Sequence, residues 1–198
     1  MTSDIFPIFD KVLSRDSKEK LLEQHGIVIW MTGLSGSGKT TLAIGLEKLL
    51  YEMGYMVEVL DGDNVRSGIN SNLGFSEEDR KENIRRVAEI SKLFVNCGIV
   101  TINSFVSPTE DLRNMAEDII GEKDFYLVYI STPLEVCEQR DTKGLYAKAR
   151  KGEIKNFTGI SASFDEPISP HLRIETHGHS YEDCLKQLAD FVLPKIKM

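Results

Sequence analysis

Residues 33–40, GLSGSGKT, constrain this chain more than any other stretch. They fit G-x-x-x-x-G-K-[ST], a phosphate-binding loop that needs a strand before it and a helix after it. Residues 27–32 (IVIWMT) are apolar and β-branched, as a buried strand should be. Beyond the loop, residues 41–51 set Leu42, Ala43, Leu46, Leu49 and Leu50 at helical spacing. Glycines let backbone N–H groups curl around an anion, and the helix N-terminus adds partial positive charge. Nucleotide phosphates are therefore expected along Gly33, Leu34, Ser35, Gly36, Ser37, Gly38, Lys39, Thr40 and Thr41. Lys39 would reach the β- and γ-phosphates, and the Thr40 hydroxyl would ligate Mg²⁺. The loop says nucleotide and leaves open what is done with it.

The 198 residues, 41% hydrophobic and 28% charged, suit one domain with a sizeable core. No apolar run approaches the roughly 20 residues of a membrane span. Residues 1–10 have neither a basic start nor a signal-peptide core. Cys97, Cys137 and Cys184 are widely spaced and odd in number, which suggests no zinc site or disulfide framework and fits a reducing cytoplasm. A net charge of −7 argues against broad binding to nucleic acid or anionic membrane. An anionic substrate then needs positive charge gathered locally.

In chain order, residues 1–25 read as a polar lead-in, with a short helix over 17–24 and loosely held first residues. Residues 56–60 are a strand ending in Asp61-Gly62-Asp63-Asn64. Carboxylates at the end of a parallel strand sit where open α/β sheets bind ligands, though the same residues also make a plain turn. Residues 76–97 read as a long helix with a capping-box-like start at Ser76 and Asp79. Its buried face is Ile84, Val87, Ala88, Ser91, Phe94 and Val95. Arg80 and Asn83 continue that stripe one turn earlier and so should line a cleft, whereas Arg85 and Arg86 point elsewhere. Phe75 lacks an apolar partner for a hydrophobic staple, which leaves it a core plug or an aromatic platform. Residues 98–103 and 124–130 are further strands, with Pro108 opening a helix to about Ile120 and residues 132–133 opening another. Residues 140–153 form a basic run carrying Arg140, Lys143, Lys148, Arg150 and Lys151, either a solvated helix or a lid over phosphates. Residues 156–167 read as loop, 172–175 as a last strand and 181–193 as a closing helix. His177 and His179 lack a third partner for a metal.

A regulatory GTPase would need N-K-x-D, which is absent, and DTKG at 141–144 sits after a helix rather than at a strand end. A small-molecule kinase remains. The strings LDGDNVR (60–66), LGFSEEDRKENIRR (73–86), CEQRDTKGLY (137–146) and GEIKNFTGI (152–160) resemble those of adenylyl-sulfate kinases, over about residues 26–170. That family moves the γ-phosphate of MgATP to the 3′-hydroxyl of adenosine 5′-phosphosulfate (APS), giving 3′-phosphoadenosine 5′-phosphosulfate (PAPS) and ADP.

The resemblance implies a three-layer α/β P-loop kinase fold with a parallel sheet of about five strands and a mobile lid at 140–167. Residues 26–198 would form the domain, as a homodimer with ATP and Mg²⁺ as cofactors. Asp63 would accept or orient the 3′-hydroxyl proton, and Asp61 would hold Mg²⁺ through water. Arg66, Arg80 and Asn83 would bind the phosphosulfate and ribose, with Phe75 and Phe157 clamping the adenine. Val106 and Ser107 would line the acceptor pocket, Ser107 counting with Lys39, Asp61 and Asp63 as catalytic. Lys143 would close over both nucleotides, and Arg140 would lie on the ATP side. Direct in-line transfer needs no covalent intermediate at Ser107. Thr109, Ser161 and Ser163-Phe164 depart from the family's usual strings. Another P-loop metabolite kinase, or a regulatory module without catalysis, is the alternative; the presence of Lys39, Asp61 and Asp63 together argues against lost catalysis.

Overall fold

The structure is a computed structural model, and it describes residues 6–8 and 11–198. The expectation for residues 1–5, 9 and 10 lies outside them. The chain runs α1 (Arg15–Leu22), β1 (Val28–Thr32), α2 (Lys39–Glu52), β2 (Val57–Asp61), α3 (Gly62–Ser67), α4 (Glu77–Val95), β3 (Val100–Ser104), α5 (Glu110–Ile120), β4 (Phe125–Ser131), α6 (Leu134–Arg140), α7 (Leu145–Arg150), β5 (Leu172–Glu175) and α8 (Tyr181–Ile196).

The five strands form one parallel sheet in the order β2-β3-β1-β4-β5. All five residues of β1 are buried because both faces of the sheet are covered. Side chains alternate across a strand, so Ile29 and Met31 enter one core while Val28 and Trp30 enter the other. The first core is closed by Leu42, Leu46 and Leu50 of α2 and Leu188, Val192 and Ile196 of α8. Ile84, Val87 and Ala88 of α4 and Ala116 and Ile120 of α5 close the second. The result is the expected three-layer α/β arrangement. All five strands point the same way, so the loops after them meet at one rim, where open parallel sheets take their ligands.

Several local expectations change. Residues 61–64 are not a plain turn: Asp61 accepts the Asp63 N–H at 3.0 Å and caps the short helix α3. At α4, Ser76 accepts the Asp79 N–H at 3.1 Å, but the Asp79 carboxylate, one methylene shorter than Glu, turns to the Gly74 N–H at 3.0 Å instead of closing a box. Pro108 lies outside α5, because Thr109 takes the cap position. The helix expected over 17–24 starts earlier, where the Ser14 hydroxyl accepts the Ser17 N–H. α8 runs past Leu193 to Ile196, with Pro194 inside its last turn. The basic run after Arg140 folds its middle into α7, burying Tyr146 and Ala149.

Candidate active site

The phosphate loop joins β1 to α2. Glycine is needed at position 33 because a Cβ there would lie 2.5 Å from the Ile130 carbonyl oxygen of the neighbouring strand. Gly36 sits at φ 75°, where its N–H can turn inward without a Cβ penalty. Lys39 is buried, and its ammonium donates to the carbonyls of Gly33 and Leu34, both at 2.9 Å. Burial lowers its pKa to about 8. An ammonium held this way by two loop carbonyls is poised for an anion.

At the start of α2 the Thr40 hydroxyl donates to Asp61 Oδ2 at 2.9 Å and lies 3.3 Å from Ser104 Oγ. Asp61 thus has two tasks, one oxygen capping α3 and the other facing Thr40. Among the described residues no cluster of three His, Cys, Asp or Glu forms a ready-made metal cage. Mg²⁺ arriving with a nucleotide needs none, since it is usually held by one or two protein oxygens plus phosphates and water. Thr40 with Asp61 fits that requirement. In the first turn of α3, Asp63 forms an ion pair with Lys143, which comes from the loop between α6 and α7.

The far end of the cleft is built by α3, α4 and residues 156–158. Arg66 donates to the Gly74 carbonyl at 2.7 Å, and its guanidinium lies 4.5 Å from the Phe75 ring centroid. Burial, and then the charge of Arg80, pulls the Arg66 pKa below the ordinary arginine value; burial does the same to Arg80. Two partly desolvated guanidiniums near one another favour an anion between or beside them. Arg80 also ties three segments together: it donates to the Phe75 carbonyl at 3.1 Å, to Thr158 Oγ1 at 2.9 Å and to the Asn156 carbonyl. Asn83 is buried, its Oδ1 accepting from Asn70 Nδ2 at 3.0 Å. Phe75 is 64% exposed, which removes the core-plug reading. Phe157 packs edge-on against Tyr146 at 5.0 Å, and the Tyr146 hydroxyl donates to the Ser35 carbonyl at 2.9 Å. Phe157 is thereby fastened, through Tyr146, to the phosphate loop.

A single cleft of roughly 630 Å³ joins the two ends. Ser35, Gly36, Gly38, Lys39, Thr40, Thr41 and Arg140 line it on the phosphate-loop side. Asp61, Asp63, Arg66, Phe75, Arg80, Asn83, Val106, Ser107, Lys143 and Phe157 line the rest. Three expected residues face elsewhere. Gly33 packs on β4, Leu34 lines a second, shallower cavity, and Ser37 turns inward, its hydroxyl buried without a hydrogen-bond partner among the described residues. Arg140 Nη1 reaches the Gly36 carbonyl at 3.2 Å and Thr176 Oγ1 at 3.3 Å. The Ser107 hydroxyl accepts from the Trp30 indole at 3.0 Å.

Some cleft residues gave no signal in the sequence. Thr176, just past β5, bonds both Thr132 and the Ser37 carbonyl, and Ser104 backs Thr40. His179, Ser180, Tyr181 and Cys184 line the wall at the start of α8. Small polar residues at strand ends look the same in sequence whether or not they meet a ligand. Only the order of the strands brings these ones together.

Comparison with known proteins bears on this cleft. The family model described as adenylylsulphate kinase matches residues 25–175. The adenylyl-sulfate kinase of Bacteroides thetaiotaomicron is 60% identical, over 98% of this chain and 96% of that one. The adenylyl-sulfate kinase of Phocaeicola vulgatus is also 60% identical, over 96% and 94%. Among solved structures, the Mycobacterium tuberculosis APS kinase, in complex with AMPPNP and APS, is 42% identical with a TM-score of 0.82, covering 85% of this chain and 98% of that chain.

Proposed function

The chain belongs to the adenylylsulphate kinase family, and on that premise we propose how its residues divide the work of the family's reaction. The activity is ATP-dependent: the γ-phosphate of ATP passes to the ribose 3′-hydroxyl of adenosine 5′-phosphosulfate, giving PAPS and ADP. Phosphoryl transfer asks a protein mainly for positioning and charge neutralisation. Lys39 leaves the Gly33 and Leu34 carbonyls for the β- and γ-phosphates, while backbone N–H groups of the cleft-lining residues Ser35, Gly36 and Gly38 to Thr41 cradle them. Arg140 covers the ATP side. The Thr40 hydroxyl, and Asp61 through water, would hold Mg²⁺, which when bound would supply neutralisation of phosphate charge.

Asp63 accepts or orients the proton of the attacking 3′-hydroxyl. Asp63 lines the cleft, and its ion pair with Lys143 brings positive charge to the place where the phosphoryl group crosses. Arg66, Arg80 and Asn83 take the phosphosulfate and ribose. Phe75 and Phe157 receive the adenine on their faces, with Val106 and Ser107 closing the pocket. Residues 140–167 act as a lid that excludes water, so that ATP is not spent on hydrolysis. Residues 26–198 are the kinase domain, 1–25 its lead-in. The working form is a homodimer in the cytoplasm, a reading that rests on the family resemblance and on the unpaired cysteines. No helix among the described residues is long and apolar enough to cross a membrane.

The observation that carries the reading is the continuous cleft, with the Thr40–Asp61 corner at one end and the Arg66, Arg80 and Phe75 group at the other. The test mixes the purified protein with MgATP and adenosine 5′-phosphosulfate and follows ADP and PAPS together. ADP is expected only with the acceptor and in step with PAPS. ADP formed equally well with AMP or gluconate would return the chain to a broader class of metabolite kinases.

A further inference from the structure

We propose that Arg113, which does not line the cleft, is a positioning residue of the acceptor half, holding the turn that carries Ser107. The proposal rests on the assignment of that half given above. Arg113 lies on α5 and is only 1% exposed. Arginine is almost never buried to this degree without partners, and here they are specific. Its guanidinium donates to Glu110 Oε2 at 2.5 and 3.2 Å and, through Nη1, to the Ser107 carbonyl at 3.0 Å.

Ser107 needs that hold. It sits at φ 41°, a left-handed conformation uncommon outside glycine. Such a residue persists only where its surroundings over-determine it. Here two elements converge: from β1, Trp30 donates to the Ser107 hydroxyl and Thr32 donates to the Val106 carbonyl at 2.6 Å and the Ser107 carbonyl at 3.3 Å, and from α5 Arg113 supplies the charged donor. The turn so fixed presents Val106, Ser107 and Pro108 to the cleft.

A second set of contacts links the same turn to the chain that returns from Phe157. The Asp165 N–H donates to the Pro108 carbonyl at 2.8 Å. The Phe164 ring lies 6.0 Å from the Arg113 guanidinium and stacks on Tyr129 at 5.9 Å. Phe164 therefore covers the buried cation while its neighbour pins Pro108. The departure from the family's usual string at Ser163-Phe164 thus falls on the support of the acceptor turn, away from the reacting groups.

The test compares Arg113→Met, Arg113→Lys and Phe164→Leu by steady-state kinetics with each substrate varied in turn, alongside melting temperatures. Losing a charge-assisted hydrogen bond to the turn should raise the KM for adenosine 5′-phosphosulfate about tenfold in Arg113→Met, with the ATP KM changed less than about twofold. Arg113→Lys should recover part of the loss, and Phe164→Leu should raise the acceptor KM about threefold or more, since it removes a cation–π cover and keeps the apolar volume. If Arg113→Met does not fold, the other two variants decide. Equal rises in both KM values, or an unchanged acceptor KM in a folded variant, overturn the proposal. Arg80→Ala is run in parallel. An acceptor KM that moves there but not in the Arg113 and Phe164 variants refutes only this inference, whereas one that does not move even in Arg80→Ala refutes the acceptor assignment beneath it.

Discussion

Lys39 carries the clearest pH signature in the molecule. Its buried ammonium has a pKa near 8, and phosphate oxygens beside it would favour the charged form and raise that value. ATP affinity is then full below about pH 8 and falls as pH rises beyond it, and binding takes up a proton in that window. Calorimetry at about pH 8.5 in buffers of different ionisation enthalpy reads the uptake; none would mean that the free Lys39 ammonium is already fully charged at that pH. Asp63→Asn removes the proposed proton acceptor while keeping the side chain's shape. It should lower kcat by about 10² to 10⁴ with the ATP KM nearly unchanged, and a near-normal kcat would remove Asp63 as base. Phe75→Ala should raise the acceptor KM by about 5- to 150-fold, the range expected for one stacked base, and an unchanged value would leave the exposed ring with its Arg66 contact alone. Lys39, Thr40, Asp61 and Asp63 were legible because their spacing to a strand end is fixed by sequence. Arg113 was not, since an arginine on an amphipathic helix looks solvated until the fold buries it.

At the scale of elements, helix starts set the site. α4 begins at a Ser76 cap that accepts the Asp79 N–H, and its first two turns present Arg80 and Asn83 to the cleft. Ser76→Ala should cost about 1 kcal/mol of stability, the usual value of a cap, and should raise the acceptor KM more than the ATP KM as that turn frays. Thermal or denaturant melting with parallel kinetics checks both parts; a loss of stability with no change in either KM would separate the cap from the site. The long amphipathic elements were readable from periodicity: β1, α2 and α4 fall within a few residues of their expected bounds. The short ones were not. α3 and α7 have six residues each, too few for a periodic signal, and both depend on an aspartate taking backbone N–H groups. Asp61 accepts from Asp63, and Asp141 accepts from Tyr146 and Ala147 at 3.0 Å. The DTKG string thus has a structural role: its aspartate fastens the start of α7 behind the phosphate loop.

Over the whole molecule, a chain of net charge −7 brings Lys39, Arg66, Arg80, Arg140 and Lys143 to one cleft at the C-terminal rim of a parallel sheet. The strand order explains how. β1 lies at the centre with β3 on one side and β4 on the other, so the loops after them diverge and leave a crevice between phosphate loop and acceptor turn. Separate motifs, each ambiguous alone, come to line one cleft through that topology. Sequence revealed the motifs, but the walls made by Thr176, His179 and the start of α8 depended on long-range packing. The central claim is that the two halves of the cleft read different nucleotides. Steady-state kinetics of Arg80→Ala test it most directly. Loss of its charged contacts should raise the KM for adenosine 5′-phosphosulfate by about tenfold or more while the ATP KM stays within about twofold. Equal losses for the two substrates would contradict the division of the cleft.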